Sequence, residues 1–222
     1  MLLLFYKIKG YAISKNKGFT KIKGDIMCVY VLLAEGFEEI ESLTPVDYLR
    51  RVGVEVYTLS CGESLTVRGS HNIPVVADMM VSEALTQEHL ADGIVVPGGM
   101  PGAANVAQCE AAGKLISQMM AAGKVVAALC AAPVVTLAKL GVLKEKRFTC
   151  YPSMEAQLEK WGGPQWQELT AESQYTGSRV EVDGNLFTAA GPGTTEEFSL
   201  ILAHEFVGQE AAAKLASSAL FR

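Results

Sequence analysis

The sequence lacks the cysteine and histidine patterns of metal sites and of disulfide scaffolds. It contains no C-x-x-C motif, and its three histidines are not at the spacing of metal ligands. The five cysteines are an odd number, which does not suit a disulfide framework; they are Cys28, Cys61, Cys109, Cys130 and Cys150. We therefore predict free thiols in a reducing compartment, the cytoplasm, and neither a bound metal nor a cofactor.

Positive charge is also scarce, since the formal net charge is −5. Proteins that bind nucleic acid through its phosphates normally carry a basic face, so nucleic acid is not the expected main partner. Residues 1–26 are the exception, because they are rich in lysine and contain Asp25 as their single acid. We expect this basic segment to be disordered or to lie upstream of a core that starts at Met27. Mitochondrial targeting and a small ordered element are the alternatives, although the segment contains no arginine.

No hydrophobic run is long enough to predict a membrane span. Residues 1–6 are apolar but too few to cross a bilayer, and they lack the basic-then-apolar order and the cleavage site of a secretory signal. We found neither an internal repeat nor a low-complexity segment. Residues 27–222 are predicted to form one domain with a substantial core, because half of the chain is hydrophobic.

Strand and helix patterns alternate from Met27 onward. Apolar strands are predicted at residues 28–33, 54–59, 93–97 and 125–129, and helices follow them. A hairpin is predicted at residues 179–189, and two helices close the chain. This alternation predicts an α/β fold with a mostly parallel sheet and helices on both faces. Sites in such sheets lie at the carboxyl ends of the strands.

One cysteine stands at such a strand end. Cys130 follows the apolar run 125–129 and precedes a predicted helix with Pro133 near its start. The free amides of a helix start favour a negative charge, so we expect a thiolate, and the most acidic of the five thiols, at this position. The alternative interpretation is a small buried hydrophobic residue, and the spacing alone does not separate the two.

Four motifs together resemble the ThiJ/PfpI superfamily, and in particular its DJ-1 branch. They occur in order and read A-E-G-F-E-E-I-E at 34–41, V-V-P-G-G at 95–99, A-A-L-C-A-A-P at 127–133 and A-G-P-G-T-T-E-E-F at 190–198. The resemblance covers roughly residues 27–220. It implies a flavodoxin-like three-layer sandwich, usually a homodimer, with Cys130 as the reactive cysteine and Glu41 as the acid beside it.

The residues of these motifs suggest specific roles. A shielded Glu41 would have a raised pKa and could both donate and accept a proton, whereas the alternative is an ordinary acid in the first turn of a helix. The amides of Gly98, Gly99 and Ala131 could bind an oxyanion, or the glycines could simply form a tight turn. Many members of the family carry a histidine where this sequence has Tyr151, which could donate a hydrogen bond to a substrate or only pack.

Three functions are compatible with these residues. The first is cofactor-free processing of reactive aldehydes such as methylglyoxal, or of glycated adducts, through a hemithioacetal on Cys130 with Glu41 as proton shuttle, as in a glyoxalase or deglycase. The second is an oxidative-stress sensor or chaperone that acts through the Cys130 sulfinate. The third is a non-catalytic dimeric binding protein. A protease is not expected, because the sequence offers no Cys-His-acid triad.

Overall fold

The computed structural model describes residues 26–221, in which a central sheet separates two layers of helices. The predicted amino-terminal extension lies outside the described residues, apart from Ile26. The strands are β1 (Cys28–Leu33), β2 (Glu55–Ser60), β3 (Thr66–Arg68), β4 (Pro74–Val76), β5 (Met79–Met80), β6 (Gly93–Val96), β7 (Val125–Leu129), β8 (Arg147–Phe148), β9 (Gln174–Tyr175), β10 (Val180–Asp183) and β11 (Leu186–Ala189).

The helices fill the connections between strands. They are α1 (Glu39–Arg51), α2 (Val81–Ala84), α3 (Gly102–Gln108), α4 (Glu110–Ala121), α5 (Leu158–Gly162), α6 (Trp166–Leu169), α7 (Thr195–Val207) and α8 (Gln209–Ser218). A π-helical segment, Pro133–Leu137, and a 3-10 turn, Ala138–Leu140, occupy the place of the helix predicted after Cys130, and further 3-10 turns lie at Glu155–Gln157 and Pro192–Thr194. No helix within residues 26–221 is both long and apolar enough to cross a membrane.

The main sheet has seven strands in the order β10-β11-β7-β6-β1-β2-β5. All of its pairs are parallel except β10 with β11, which form the predicted hairpin. The fold class predicted from the alternating pattern is therefore confirmed. The short strand β8 ends at Phe148, and the amide of the next residue, Thr149, donates to the Thr188 hydroxyl (N to Oγ1, 2.9 Å).

The core consists of two apolar layers, one on each face of the sheet. Alternate residues of β1 point to opposite layers, so that Val29 and Val31 lie in one and Tyr30 and Leu32 in the other. Because both faces are covered, the central strands β1, β6 and β7 are continuous apolar runs and do not alternate with charged residues. The carboxyl ends of β1, β6 and β7 are neighbours in the sheet, and the turns that follow them meet at one edge.

Candidate active site

Cys130 lies on a sharp turn at the end of β7. Its backbone φ is +57°, in the left-handed region that a residue with a side chain seldom adopts. Both of its backbone groups are paired, since its N–H donates to the Ala189 carbonyl (2.9 Å) and its carbonyl accepts from the Tyr151 N–H (2.8 Å). These two bonds hold the strained turn in place and leave the half-buried thiol beside the strand ends.

Glu41 comes from the first turn of α1 and is completely buried beside Cys130. Its Oε2 accepts the Gly98 N–H at 2.8 Å, and the carboxyl is near enough to the Cys130 thiol for each group to shift the pKa of the other. Its other oxygen, Oε1, is buried and has no hydrogen-bond partner. Burial, reinforced by the charge of Glu38, raises the pKa of Glu41 from 4.5 to about 7, although the Gly98 amide and the Cys130 thiol oppose the shift. A carboxyl of this kind can exchange a proton near neutral pH.

The electrostatics of Cys130 differ from the expectation that it is the most acidic thiol. Burial, and then the charge of Glu41, raise its pKa to about 12, whereas the amides of Gly99 and Ala131 lower it. Cys109 is instead the thiol whose pKa is lowered, to about 6. The reasons are the burial of the thiol, which is the larger cause, and the charge of the buried acid, and the elbow argument included neither of them. Once Glu41 carries a proton its repulsion vanishes, and its O–H can donate to the sulfur. Cys130 and Glu41 are thus coupled, and loss of both protons is strongly disfavoured.

Position 98 has room only for glycine, because the side chains of Cys130 and Glu41 both lie close to its Cα. A Cβ added there would lie 2.6 Å from the Cys130 Cβ and 2.7 Å from Glu41 Oε2. Its amide donates to Glu41 in this arrangement, and the binding of a substrate oxyanion by Gly98 stays a prediction. The amides that reach the Cys130 sulfur are those of Gly99, whose φ is +83°, and Ala131.

Tyr151 lies at the rim of the site and is 51% exposed. Its ring lies next to Gly191, because a Cβ built on that glycine would be 3.5 Å from Tyr151 Cδ2 and 4.0 Å from Glu41 Oε1. The tyrosine ring and the unpartnered oxygen of Glu41 therefore border the same space, which the absence of a side chain at Gly191 leaves open. Thr194 fixes this loop, since its hydroxyl donates to the Gly191 carbonyl at 2.7 Å.

The structure also brings one histidine to two acids, which sequence spacing did not reveal. Oxygen and nitrogen atoms of Glu38, Glu39 and His71 all lie within 4.8 Å of one another, a geometry that could hold a cation. These atoms already have partners: Glu38 Oε2 accepts the Glu41 N–H at 2.7 Å, and Glu39 Oε2 lies 2.8 Å from His71 Nδ1. The cluster ties the β3–β4 hairpin to α1, and we assign no metal to it.

The fold and the site define a class: a flavodoxin-like α/β protein whose elbow cysteine is paired with a buried acid. Residues 27–205 match the model of the DJ-1/PfpI family, and the chain belongs to that family. This confirms the resemblance drawn from the four motifs.

Individual relatives extend this finding. The chain is 32% identical over 194 residues to protein DJ-1 homolog B of Arabidopsis thaliana, covering 87% of this chain but only 41% of that protein. It is 30% identical over 181 residues to the glutathione-independent glyoxalase DJR-1.2 of Caenorhabditis elegans, covering 81% and 88% of the two chains. The crystal structure of Drosophila melanogaster DJ-1beta aligns with a TM-score of 0.79 at 33% identity, covering 89% of this chain and all of that one.

Proposed function

We propose that this protein processes small reactive carbonyls of the methylglyoxal class without a cofactor. The observation that carries the proposal is the contact between the Cys130 thiol and the fully buried Glu41, whose pKa lies at about 7. A nucleophile and a proton-transfer group matched to neutral pH are thus in contact. The similarity to a protein named as a glutathione-independent glyoxalase supports the same chemistry.

The reaction we propose is an internal proton shift on a covalent adduct. The Cys130 sulfur bonds to the aldehyde carbon of methylglyoxal, and the thiol proton passes through Glu41 to the new hydroxyl, which gives a hemithioacetal. Glu41 then removes the proton from that carbon and returns it to the neighbouring carbon, while the hydroxyl proton passes to the former ketone oxygen, which converts the adduct to a lactoyl thioester. Water cleaves the thioester to release lactate and the free thiol. One carbon is oxidised and the other reduced, so no external oxidant is required.

Two sets of protein groups stabilise the charges that develop during this reaction. The amides of Gly99 and Ala131, which reach the sulfur, are the candidates for stabilising a substrate oxyanion. Glu41 Oε1 is buried without a partner, so it is available to a substrate hydroxyl or to the transferred proton. The half-exposed Tyr151 lines the entrance. Glycated adducts present the same hemiacetal-level carbon and are the second substrate class.

The test is a steady-state assay of lactate formation from methylglyoxal by the wild type, Cys130→Ala and Cys28→Ser. Cys28 is a matched control because it is also a half-buried free thiol, but it lies at the start of β1. We expect turnover by the wild type and by Cys28→Ser, and none by Cys130→Ala. Turnover that survives in Cys130→Ala, or is absent from the folded wild type, contradicts the proposal; the latter result favours a non-catalytic binding protein.

A second candidate function, oxidation sensing, is favoured by the amides directed at the Cys130 sulfur. The N–H groups of Gly99 and Ala131, together with a protonated Glu41, could bind the oxygens of a sulfinate. We expect mild peroxide to add two oxygens to Cys130 in the wild type, and Glu41→Leu to prevent this product from accumulating. An unchanged oxidation profile in the leucine variant would remove Glu41 from that role.

We also propose that the chain forms a homodimer, as members of its family often do. The β3–β4 hairpin and α1 carry exposed apolar side chains, which are Ile40 (54% exposed), Leu43 (36%), Ile73 (50%) and Val76 (69%). The Ser70 amide joins the hairpin to the turn that precedes α1 by donating to the Phe37 carbonyl at 2.8 Å. Exposed apolar side chains grouped in this way favour association.

Sedimentation equilibrium tests the dimer. We expect a dimer for the wild type and a monomer for Ile73→Glu/Val76→Glu. Leu220→Glu, which alters an equally exposed apolar residue at the opposite end of the chain (78% exposed), should remain dimeric. A wild-type monomer at micromolar concentration would contradict the proposal.

The free cysteines suit a reducing compartment, and we place the protein in the cytoplasm.

A further inference from the structure

An exposed aromatic ring lies beside Cys130 and Glu41. Tyr151 is half-exposed, whereas Phe148, at the end of the preceding strand β8, is buried. The reaction proposed above gives the tyrosine no proton to transfer and no charge to stabilise. An aromatic ring at the entrance of a small site offers a surface to which an apolar group of a ligand can bind.

The backbone fixes Tyr151 next to the nucleophile. Its N–H donates to the Cys130 carbonyl at 2.8 Å, so the two residues are joined directly. Its own carbonyl accepts the Met154 N–H at 3.0 Å, which closes a turn. Thr149, two residues earlier, is held by its hydroxyl, which donates to the Ser178 carbonyl at 2.6 Å. The ring is therefore attached to an ordered segment of the site.

Each oxygen of the Glu41 carboxyl lies near a different glycine, and the two glycines differ in the room that they leave. At Gly98, an added Cβ would lie 2.6 Å from the Cys130 Cβ and 2.7 Å from Glu41 Oε2, so this side of the carboxyl is filled. At Gly191, an added Cβ would have its nearest neighbour at 3.5 Å, which is an ordinary contact. A substrate group therefore has space on the Gly191 side and none on the Gly98 side.

The space at Gly191 connects the tyrosine ring with the carboxyl oxygen that has no partner. The neighbours of an added Cβ there are Tyr151 Cδ2 at 3.5 Å and Glu41 Oε1 at 4.0 Å. Glu41 Oε1 is buried without a hydrogen bond, so it is free to bind a hydroxyl of the substrate. A substrate bound in this way brings its neighbouring atoms to the tyrosine ring.

The loop that contains Gly191 is held in place by Arg179. The Arg179 carbonyl accepts the Ala190 N–H at 3.0 Å, and its guanidinium Nη2 donates to the Gly193 carbonyl at 2.9 Å. Its Nε donates to Glu197 Oε2 at 2.8 Å, which ties the loop to the start of α7. The space is thus formed before a substrate binds, and no loop has to be ordered on binding.

We propose that Tyr151 is a specificity-determining residue: its ring binds the apolar substituent R of an α-oxoaldehyde, R–CO–CHO, and favours aryl or branched alkyl groups over the methyl of methylglyoxal. This role rests on the carbonyl-processing function proposed above. In the Cys130 adduct, the carbon bonded to sulfur carries the hydroxyl, and R lies one carbon further on. When the hydroxyl binds Glu41 Oε1, R enters the space at Gly191 and contacts the ring. The bonds that form and break are those described for methylglyoxal.

The contact depends on the ring and not on the phenol hydroxyl, because the edge carbon Cδ2 faces the space. We therefore expect Tyr151→Phe to keep the preference for phenylglyoxal over methylglyoxal. In Tyr151→Ala, the ratio of the two kcat/KM values should fall by about tenfold, the size of a favourable contact between apolar or aromatic groups.

The first measurement is steady-state kinetics with phenylglyoxal and methylglyoxal on the wild type and these two variants. Tyr175→Ala is the matched control, because Tyr175 is also an exposed tyrosine, but its ring packs against Phe148, with ring centroids 6.0 Å apart. We expect the wild type and the control to prefer phenylglyoxal to the same degree. Circular dichroism verifies that each variant is folded.

A second measurement requires no turnover and so separates this inference from the proposed function. Phenacyl bromide and bromoacetone carry a phenyl and a methyl group at the same distance from the reacting carbon. Each alkylates a thiol: the S–C bond forms, bromide leaves, and the thiol proton passes to solvent. Mass spectrometry gives the two labelling rates at Cys130, with Cys28 in the same chain as the reference thiol. The preference of Cys130 for phenacyl bromide should be kept in Tyr151→Phe and should fall about tenfold in Tyr151→Ala.

Equal ratios for the wild type and Tyr151→Ala in the labelling experiment would overturn the inference, whether or not the wild type turns over methylglyoxal. A preference that Tyr151→Phe loses as fully as Tyr151→Ala would also overturn it, because the hydroxyl and not the ring would then bind the substituent. A folded wild type that turns over neither aldehyde, but labels with the expected dependence on the ring, would contradict the proposed function and support the specificity of the site.

Discussion

Cys130 and Cys109 are both half-buried free cysteines near the start of a helical segment, yet their pKa values shift in opposite directions. At Cys130, the amides of Gly99 and Ala131 oppose burial and an acid, and the pKa rises to about 12. At Cys109, two amides act together with a neutral thiol donor, and the pKa falls to about 6. The position at the start of a helix is therefore insufficient to predict an acidic cysteine. The burial of the thiol and the charge of its ionisable neighbour together decide the direction of the shift.

The largest effect on turnover is expected from a substitution that fills the space between Cys130 and Glu41. We expect Gly98→Ala to lower methylglyoxal turnover by a factor on the order of a hundred, because the added methyl would overlap both side chains and displace them by about an ångström. Alkylation of Cys109 should be unchanged. Steady-state kinetics and cysteine mapping on the same samples measure both effects.

Gly62→Ala is the matched control for this substitution. A Cβ there would have Ser60 Oγ, at 3.8 Å, as its nearest neighbour, which is an ordinary contact. We expect wild-type turnover from this variant. If Gly98→Ala were as active as Gly62→Ala, the close approach of Cys130 and Glu41 would not matter for the reaction.

The proton on Glu41 should appear in the pH dependence of stability. Its pKa is raised from 4.5 to about 7 in the folded protein, so between these values the folded state binds a proton that the unfolded chain has lost. The stabilisation is therefore fully present below pH 4.5 and is lost as the pH rises through about 7. The Glu41→Gln variant should lack this pH-dependent stabilisation. As the pH rises from 4.5 to about 7, the free energy of unfolding of the wild type should therefore fall by about 3 kcal/mol relative to that of the variant.

Urea denaturation of both proteins at a series of pH values measures this difference. Glutamine is nearly the same size as glutamate, and its amide oxygen can still accept the Gly98 N–H, so the packing is preserved. Parallel stability curves for the two proteins would show that Glu41 titrates normally in the folded state.

Features that depend on local sequence patterns could be predicted from the sequence, whereas features that depend on contacts between distant residues could not. The parallel sheet and the elbow could be predicted from local patterns, because β7 is a continuous apolar run followed by small residues and Pro133. The effect of Glu41 on the Cys130 pKa could not be, since it depends on the burial of α1 against two other strand ends. The lowered pKa of Cys109 could not be predicted for the same reason, because it depends on contacts between elements that no local motif records.

A smaller effect is expected on the reactivity of Cys109. In Cys61→Ala, Cys109 loses the S–H donor that is the largest cause of its lowered pKa. A hydrogen bond to a charged group contributes about 1.5 kcal/mol or more, so we expect alkylation of Cys109 below its present pKa to slow by about tenfold. The rate at Cys130 should not change. Iodoacetamide kinetics by mass spectrometry measure both, and an unaltered Cys109 rate would show that Cys61 does not stabilise the thiolate.

The smallest effect is expected at the rim of the active site. Tyr151→Phe should keep most of the turnover, because the ring edge rather than the hydroxyl approaches Gly191. Tyr151→His should raise turnover, since imidazole titrates near neutral pH and adds a second proton-transfer group. Methylglyoxal kinetics of the two variants, with folding verified by circular dichroism, check this. An inactive phenylalanine variant together with no gain from histidine would identify Tyr151 as a working donor.

The central claim is that Glu41 governs Cys130 through its proton, as a neutral donor to the sulfur. Its most direct test is the pH dependence of Cys130 alkylation in Glu41→Gln and Glu41→Leu, two variants that both remove the acid's charge while only glutamine retains a donor. We predict a Cys130 pKa about one unit lower in the glutamine variant than in the leucine variant, the size expected for a hydrogen bond to a charged group. Equal pKa values in the two variants would contradict the account.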